Sequence, residues 1–447
     1  MEQKLFSNQR LIKLIIPLVI EQGLTILVGM ADGVMVSSVG EAAISGVSLV
    51  DSINAVILVL FAALATGGSV VTSQFLGARQ VDRAQKSAGQ LVLMAVALGI
   101  AAMVPCLVFA EQLIRLCFGA IEADVLDAGL IYLRITAVSF PFIALYNAGA
   151  AIFRSIGNSK VSMKVSMLMN VINVAGNAFC IFVLKWGVAG VAVPTLVSRA
   201  VAGIAMMVMA VRPDMELHLT KEGVTGIDRR MMANILKIGI PSACENSFFH
   251  VGRLIVASMI TLFGTYQVSA NAVAGNIDRL GIIMGQAMGL ALVTVVGQCV
   301  GARDTDQATY YIKKILRWTY LVQGLSNVLI LVFIRQLVGF YGALSDETRE
   351  LAMKLSMMHA GWGIVFWPVS FVLPNALRAA NDVKFTMWVG IGSMLVCRIF
   401  GSWLMCVHFG LGAVGVWMAM ITDWIFRTAF FVPRTVSGKW KRMYKPE

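Results

Sequence analysis

Apolar residues run in long stretches, such as Leu91 to Ala110, Val165 to Leu184 and Leu316 to Ile334. Each approaches the ~20 residues that a helix needs to cross ~30 Å of hydrocarbon. Lipid offers a bare backbone no hydrogen-bond partner, so such runs predict helices. A β-barrel would show short segments of alternating polarity, and the chain has none. The pattern predicts about twelve spans, near 11–37, 46–71, 87–110, 127–150, 161–184, 190–211, 232–262, 268–296, 312–334, 350–376, 386–408 and 412–433. The first follows Lys4, Arg10 and Lys13, as the core of a signal peptide does. It is too long for one, lacks a clear small-residue cleavage site and leads into further spans, so it reads as a retained helix. The longest polar connection, Arg212 to Arg230, carries Asp214, Glu216, Lys221, Glu222 and Asp228 near the middle of the chain.

The two halves repeat. One constant shift along the chain carries Lys13, Pro17 and Glu21 onto Lys237, Pro241 and Glu245, and Gly40 onto Gly264. It also carries Gly77-Ala78-Arg79 onto Gly301-Ala302-Arg303, and Arg154 and Lys160 onto Arg378 and Lys384. Near the end of each half the shift slips by a single position, with Gly187 and Gly190 answering to Gly412 and Gly415. Six spans per half is an even number, so both halves enter the membrane from the same side. The expected fold is an all-α integral membrane protein, with two six-helix lobes related by an internal parallel repeat. Its parts are an N-lobe over 1–211, a linker over 212–230 and a C-lobe over 231–447. Parallel repeats of this kind are a transporter architecture, with the binding site near the bilayer midplane.

Composition strengthens the membrane reading: 58% of residues are hydrophobic and 13% charged, against roughly 25% charged in soluble domains. The net charge is +12. The basic residues form short clusters between spans and no continuous patch, which argues against a nucleic-acid partner. Those clusters alternate along the chain: Arg79, Arg83 and Lys86, then Arg154, Lys160 and Lys164, then Arg212, Lys221, Arg229 and Arg230. Arg303, Lys313, Lys314 and Arg317 follow, then Arg378 and Lys384, and finally Lys439, Lys441, Arg442 and Lys445. Intervening connections are poor in bases and often acidic, as at Glu111, Glu122, Asp124 and Asp127. The positive-inside rule places both termini and the linker in the cytoplasm, for a multi-pass protein of the cell membrane. Seven cysteines without a CxxC pair and four scattered histidines suggest neither a disulfide frame nor a zinc site. The chain contains no GxxxxGK[ST], HExxH or GxSxG, so an enzyme is not expected. Energy for transport must come from an ion gradient, and no cofactor beyond a coupling ion, H⁺ or Na⁺, is expected.

Several polar residues lie inside the spans. A carboxylate at the bilayer centre costs roughly 2.5–3.5 kcal/mol on insertion scales, so Asp32 should face a cavity or a partner. It can hold H⁺ or Na⁺, or it can bond a neighbouring helix for structure alone. Asn173 and Asn177 are four residues apart and share a helix face with Asn170 nearby. Thr195 follows Pro194, which can free a carbonyl. Such oxygens make a hard-cation or proton-holding site, or polar glue between helices. Glu21 and Glu245 follow equivalent prolines and, with Asn147 and Asp278, are the candidates for a substrate cavity. Asp278 adjoins Arg279, which suggests an ion pair, and Asp51 is a further intramembrane acid. Arg253, Arg398 and Arg427 are expected to pair with such acids. Most of the 26 methionines read as ordinary apolar residues, although thioethers also suit a promiscuous pocket.

Taken in order and spacing, these residues give a resemblance over the whole chain. Asp32 followed by Gly40, Gln74-Phe75-Leu76-Gly77-Ala78-Arg79, Arg154-Ser155-Ile156-Gly157-Asn158 and Gln298-Cys299-Val300-Gly301-Ala302-Arg303 resemble the multidrug and toxic compound extrusion (MATE) family. The resemblance implies twelve helices in two lobes enclosing a V-shaped cavity. It also implies antiport, in which H⁺ or Na⁺ enters while small organic, often cationic and aromatic, compounds leave. The cation site it implies maps onto Asp32, Asn173, Asn177 and Thr195, and Glu245 resembles a seventh-helix acid of some members. Many members carry an acid where this chain has Asn177, which leaves Asp32 as the one clear carboxylate. Coordinating Na⁺ needs compensating charge more than protonating one acid does, so H⁺ is the expected coupling ion. In that scheme Asp32 is protonated when its site faces outside, and Na⁺ on neutral amide oxygens is the alternative. A flippase for a lipid-linked oligosaccharide or cell-envelope precursor is the competing function, and the helix count and buried acids weigh against it. The expected partners are a small-molecule substrate and the lipid bilayer, around a monomer.

Overall fold

The computed structural model describes residues 4–119, 121–213, 215, 217–342 and 344–444. Asp214, Glu216 and Lys445 of the charged connections lie outside them. The first helices are α1 (Asn8–Ser37), α2 (Glu41–Gly77), α3 (Val81–Val108), α4 (Ala110–Phe118), α5 (Ala123–Val138), α6 (Phe140–Ser155), α7 (Ser159–Ala178) and α8 (Ala189–Ala210). Short α9 (Lys221–Thr225) precedes α10 (Arg229–Ile260), α11 (Thr265–Gly301), α12 (Thr305–Val332) and α13 (Ile334–Gly339). The chain closes with α14 (Asp346–Trp367), α15 (Leu373–Ala379), α16 (Val383–Ser393) and α17 (Gly412–Val436). π-helical turns continue α7 over Phe179–Val183 and α16 over Met394–Phe400 and Trp403–His408, and another joins α14 to α15 over Pro368–Val372.

Among the described residues, eleven segments are long and apolar enough to cross a membrane, and α5 with α6 forms a twelfth that bends by 47°. This differs from the straight fourth span expected over 127–150. Pro141 lies in the first turn of α6 and has no N–H to bond the turn before it. The Ser139 N–H and hydroxyl both donate to the Thr136 carbonyl, at 3.0 and 2.5 Å, and close α5 there. Gly99 lets α3 reach the bend, since a Cβ there would lie 2.6 Å from the Pro141 Cα.

Two compact units result, Asn8–Ala243 and Cys244–Glu447, the latter joined by the segment before Asn8. The division falls inside α10 and not in the linker over 212–230. The linker is stitched to α3: Gln90 Nε2 donates to the carbonyls of Gly223 (2.9 Å) and Gly226 (2.6 Å). Asp228 accepts from the N–H groups of Arg230 and Met231, both at 3.0 Å, and so caps α10. Lys86 lies 2.8 Å from Asp228. Its hydrogen bond, aided by the Met231 N–H, holds that carboxyl below the usual range. In the second unit, Phe6 is held by the Tyr311 hydroxyl, which accepts from its N–H at 2.9 Å and donates to its carbonyl at 2.8 Å.

The repeat is written into the backbone as well. Left-handed conformations recur at Gly40 and Gly264, at Arg79 and Arg303, and at Gly157 and Asn381, each pair related by the shift that relates the two halves. They recur again at Lys185 and Gly410 and at Gly187 and Gly412, where the shift is longer by a single position. The turns close alike: the Gln80 N–H donates to the Phe75 carbonyl at 2.9 Å and the Asp304 N–H to the Cys299 carbonyl at 3.0 Å. This six-residue closure is the Schellman motif, in which one residue must adopt the left-handed conformation.

Candidate functional site

The N-terminal unit brings Asp32, Asn173, Asn177 and Thr195 together from α1, α7 and α8. Gly176 makes this possible: a Cβ there would lie 2.7 Å from the Pro194 ring, so its absence lets α8 press against α7. Thr195 then stands beside Asn173, and the π-helical turn begins two residues after Asn177. Asn173, Asn177 and Thr195 are buried, and Asp32 is partly buried.

Asn177 Nδ2 donates to Asp32 Oδ1 at 2.8 Å. The Asn173 amide can point either way. With its nitrogen towards Asp32 it donates at 2.9 Å to Oδ1 and 3.2 Å to Oδ2, and its oxygen accepts from the Thr195 hydroxyl at 3.1 Å. Turned over, its nitrogen donates to Thr195 Oγ1 at 3.1 Å, and Thr195 donates to the Val191 carbonyl at 2.9 Å. Its oxygen then faces Asp32, which suits a protonated carboxyl that can donate. A charged carboxylate only accepts, so it favours the first arrangement. Asn173 keeps Thr195 as its partner at 3.1 Å in both directions, and a charged Asp32 suits the first and a protonated Asp32 the second. Asn177 Oδ1 is buried without a hydrogen-bond partner. With Asp32 and the turned Asn173 it supplies the oxygens that could hold Na⁺. Among the described residues, no group of three or more His, Cys, Asp or Glu is placed to hold a metal ion.

Asn170 lies on the same helix with its Nδ2 buried and unpartnered. Asn147 turns back on its own helix, donating to the Ile143 carbonyl at 2.9 Å, and does not join the cluster. Arg199 was not singled out in the sequence. It donates to Ser139 Oγ at 2.9 Å, at the bend of the fourth span, within electrostatic reach of Asp32, Asp51 and Tyr132.

The acids proposed for a substrate cavity each have a partner within the unit. Glu21 is 5% exposed. It accepts from Tyr146 at 3.1 Å and Ser162 at 2.9 Å, with Arg154 at 3.7 Å. Glu245, also 5% exposed, accepts from Arg378 at 2.7 Å, with Arg427 at 3.8 Å. Arg154 and Arg378, which the charge pattern assigned to cytoplasmic connections, turn inward onto equivalent acids of the two halves. Asp278 pairs with His359 of α14 and not with its neighbour Arg279, because successive helical residues point in different directions. Arg427 donates to Asp423 at 3.1 Å, as its position suggested. Arg398 stays 3.9 Å from Asp423, and Arg253 makes no ion pair among the described residues.

A family model described as MatE matches the chain twice, over residues 17–179 and 241–404. The two matches start at Pro17 and Pro241, the pair of prolines that the repeat superposes. Among curated proteins, the Uncharacterized transporter YisQ of Bacillus subtilis (strain 168) is 30% identical over 419 residues, covering 92% of this chain and 90% of that one. The Probable multidrug resistance protein NorM of Thermotoga maritima is 26% identical over 445 residues, covering 97% and 93%. A solved structure described as the outward-facing conformation of a multidrug resistance MATE family transporter of the MOP superfamily superposes with a TM-score of 0.90. It is 20% identical and covers 98% of this chain and 97% of that one. At that identity the likeness establishes the fold.

Proposed function

Because the chain belongs to the MatE family, whose members are transporters, we propose that it is a secondary active exporter that moves small organic compounds out of the cell in exchange for protons, with Asp32 as the coupling group. The observation that carries this reading is the Asp32 cluster. One intramembrane carboxylate accepts from the Asn177 amide, and the Asn173 amide beside it, bonded to the Thr195 hydroxyl, fits in either direction, one suited to each charge state of Asp32. A proton that binds one facing state better than the other shifts the equilibrium between them, and only such a difference can do so. Vesicles loaded with a fluorescent organic dye and given a pH gradient or a Na⁺ gradient separately test the coupling. Export should follow the pH gradient and stop with a protonophore at constant Na⁺. Export that persists on a Na⁺ gradient alone would transfer the role to Na⁺.

In this reading the protein acts as a monomer in the cell membrane with both termini in the cytoplasm, as the alternation of basic connections requires. Thr225, between the sixth and seventh spans, and Glu347, in the first turn of the tenth, are exposed and lie at span ends separated by an odd number of spans. Single cysteines at these positions, in a background lacking the native seven, should label from the cytoplasmic and the outer side respectively. Labelling of both from one side would refute the arrangement.

A further inference from the structure

We propose that the C-terminal unit binds an oxyanion of the cargo, a carboxylate or phosphate, on Arg253, Arg279 and Arg398, so that the exported compounds include organic anions. This rests on the export reading above and names its substrate class. The intramembrane acids of this unit already have partners: Glu245 has Arg378, Asp423 has Arg427 and Asp278 has His359. Among the described residues, Arg253 and Arg279 make no ion pair within 4 Å. Arg398 is left with a contact of 3.9 Å to an Asp423 that Arg427 holds more closely. Its Nε is buried and has no hydrogen-bond partner.

Arg253 stands between the other two: it is within electrostatic reach of Asp278 and Arg279, and Arg398 is within reach of Asp423, Arg253, Arg427 and Asp278. Arg253 lies ten residues before Phe263, Arg279 fourteen after Thr265, and Arg398 ten before His408. By the order of the spans those three helix ends lie on the same side of the membrane. At ~1.5 Å per residue the arginines share one depth, about 15–21 Å in. The side chains of Arg253 and Arg279 are exposed. Guanidinium groups at that depth face the bundle interior or a water-filled recess and not hydrocarbon. Arg398 projects from the π-helical turn Met394–Phe400, a distortion that often marks functional positions. Its guanidinium stands 5.6 Å from the Phe249 ring centre, which steadies its face and leaves its edge for a ligand. Guanidinium forks match carboxylate and phosphate oxygens two at a time. With Asp423 held by Arg427 and Asp278 by His359, three such groups leave a local excess of positive charge, which repels a cationic cargo and attracts an anionic one.

Equilibrium binding to the full-length protein in phosphatidylcholine nanodiscs, followed by fluorescence anisotropy without any gradient, tests this. Carboxyfluorescein is the anionic probe and ethidium the cationic one. Carboxyfluorescein should bind the wild type more tightly than ethidium does. Arg253→Gln and Arg279→Gln should each weaken it about tenfold or more. Asp278→Asn should tighten it, a gain that misfolding cannot produce. The proposal is overturned by tighter binding of ethidium, by no carboxyfluorescein binding, or by arginine variants that bind as the wild type does. No gradient enters the measurement, so such a failure leaves proton-coupled export standing. Export that ignores the pH gradient would overturn the coupling alone.

Discussion

Vesicles carrying Asp32→Asn will show gradient-driven export at the level of vesicles without protein, while the variant is produced, inserted and stable as the wild type is. The substitution is nearly isosteric and suits the site. An amide at this position accepts from Asn177 as the carboxylate does at 2.8 Å. Its nitrogen then donates to the Asn173 oxygen in the orientation where that oxygen faces α1, so Asn173 keeps its bond to Thr195 at 3.1 Å. Removing a charge from a membrane helix also eases insertion. The variant loses the change of charge, and with it the switch between the two hydrogen-bond arrangements. An amide takes up no proton in either facing state, so the gradient has no ligand there with which to shift the equilibrium. Export at the wild-type rate by Asp32→Asn vesicles would remove Asp32 from the coupling role.

Glu245→Ala should do the reverse: its main effect falls on stability. Glu245 is almost wholly buried and answers Arg378 at 2.7 Å and Arg427 at 3.8 Å. Deleting one partner of a buried pair leaves an uncompensated charge and costs about 3–5 kcal/mol. Glu21→Ala should act alike through Arg154, because the Glu21–Arg154 pair is the counterpart of Glu245–Arg378 in the other half. The loss should appear as a lower unfolding midpoint in detergent. Glu245→Ala combined with Arg378→Ala should recover part of it, since the stranded cation goes too. If Glu245→Ala unfolds as the wild type does but changes which compounds are exported, Glu245 faces the cargo after all.

The spans and the parallel repeat were legible because both follow from run length and residue identity at a constant offset. The left-handed turn positions, which the sequence did not announce, obey the same offset, Arg79 with Arg303 and Gly157 with Asn381, including the slip by a single position at Gly187 and Gly412. The bend in the fourth span was not legible, because hydropathy is blind to backbone direction; Pro141 was the available signal. The Asp32 cluster was half legible. Helical spacing put Asn173 and Asn177 on one face, but their meeting with Asp32 and Thr195 depends on α7 and α8 closing over Gly176. Partner choice was the least legible. Arg154 and Arg378 looked like loop cations because they end their helices, yet the repeat carried each together with a glutamate and so held the clue. The pairing of Asp278 with His359 joins α11 to α14, helices far apart in the chain, and nothing in either local sequence announces it.

The central claim is that protons exchange for cargo at Asp32. The most direct test is proton movement itself, in proteoliposomes holding a pH-sensitive dye and no imposed gradient. Addition of a transported organic compound on one side should change the lumenal pH in wild-type vesicles, in the direction of proton exchange, at any Na⁺ concentration. It should leave the pH of Asp32→Asn vesicles unchanged. Compound movement in the wild type without a pH change, or an equal pH change in Asp32→Asn, would contradict the account.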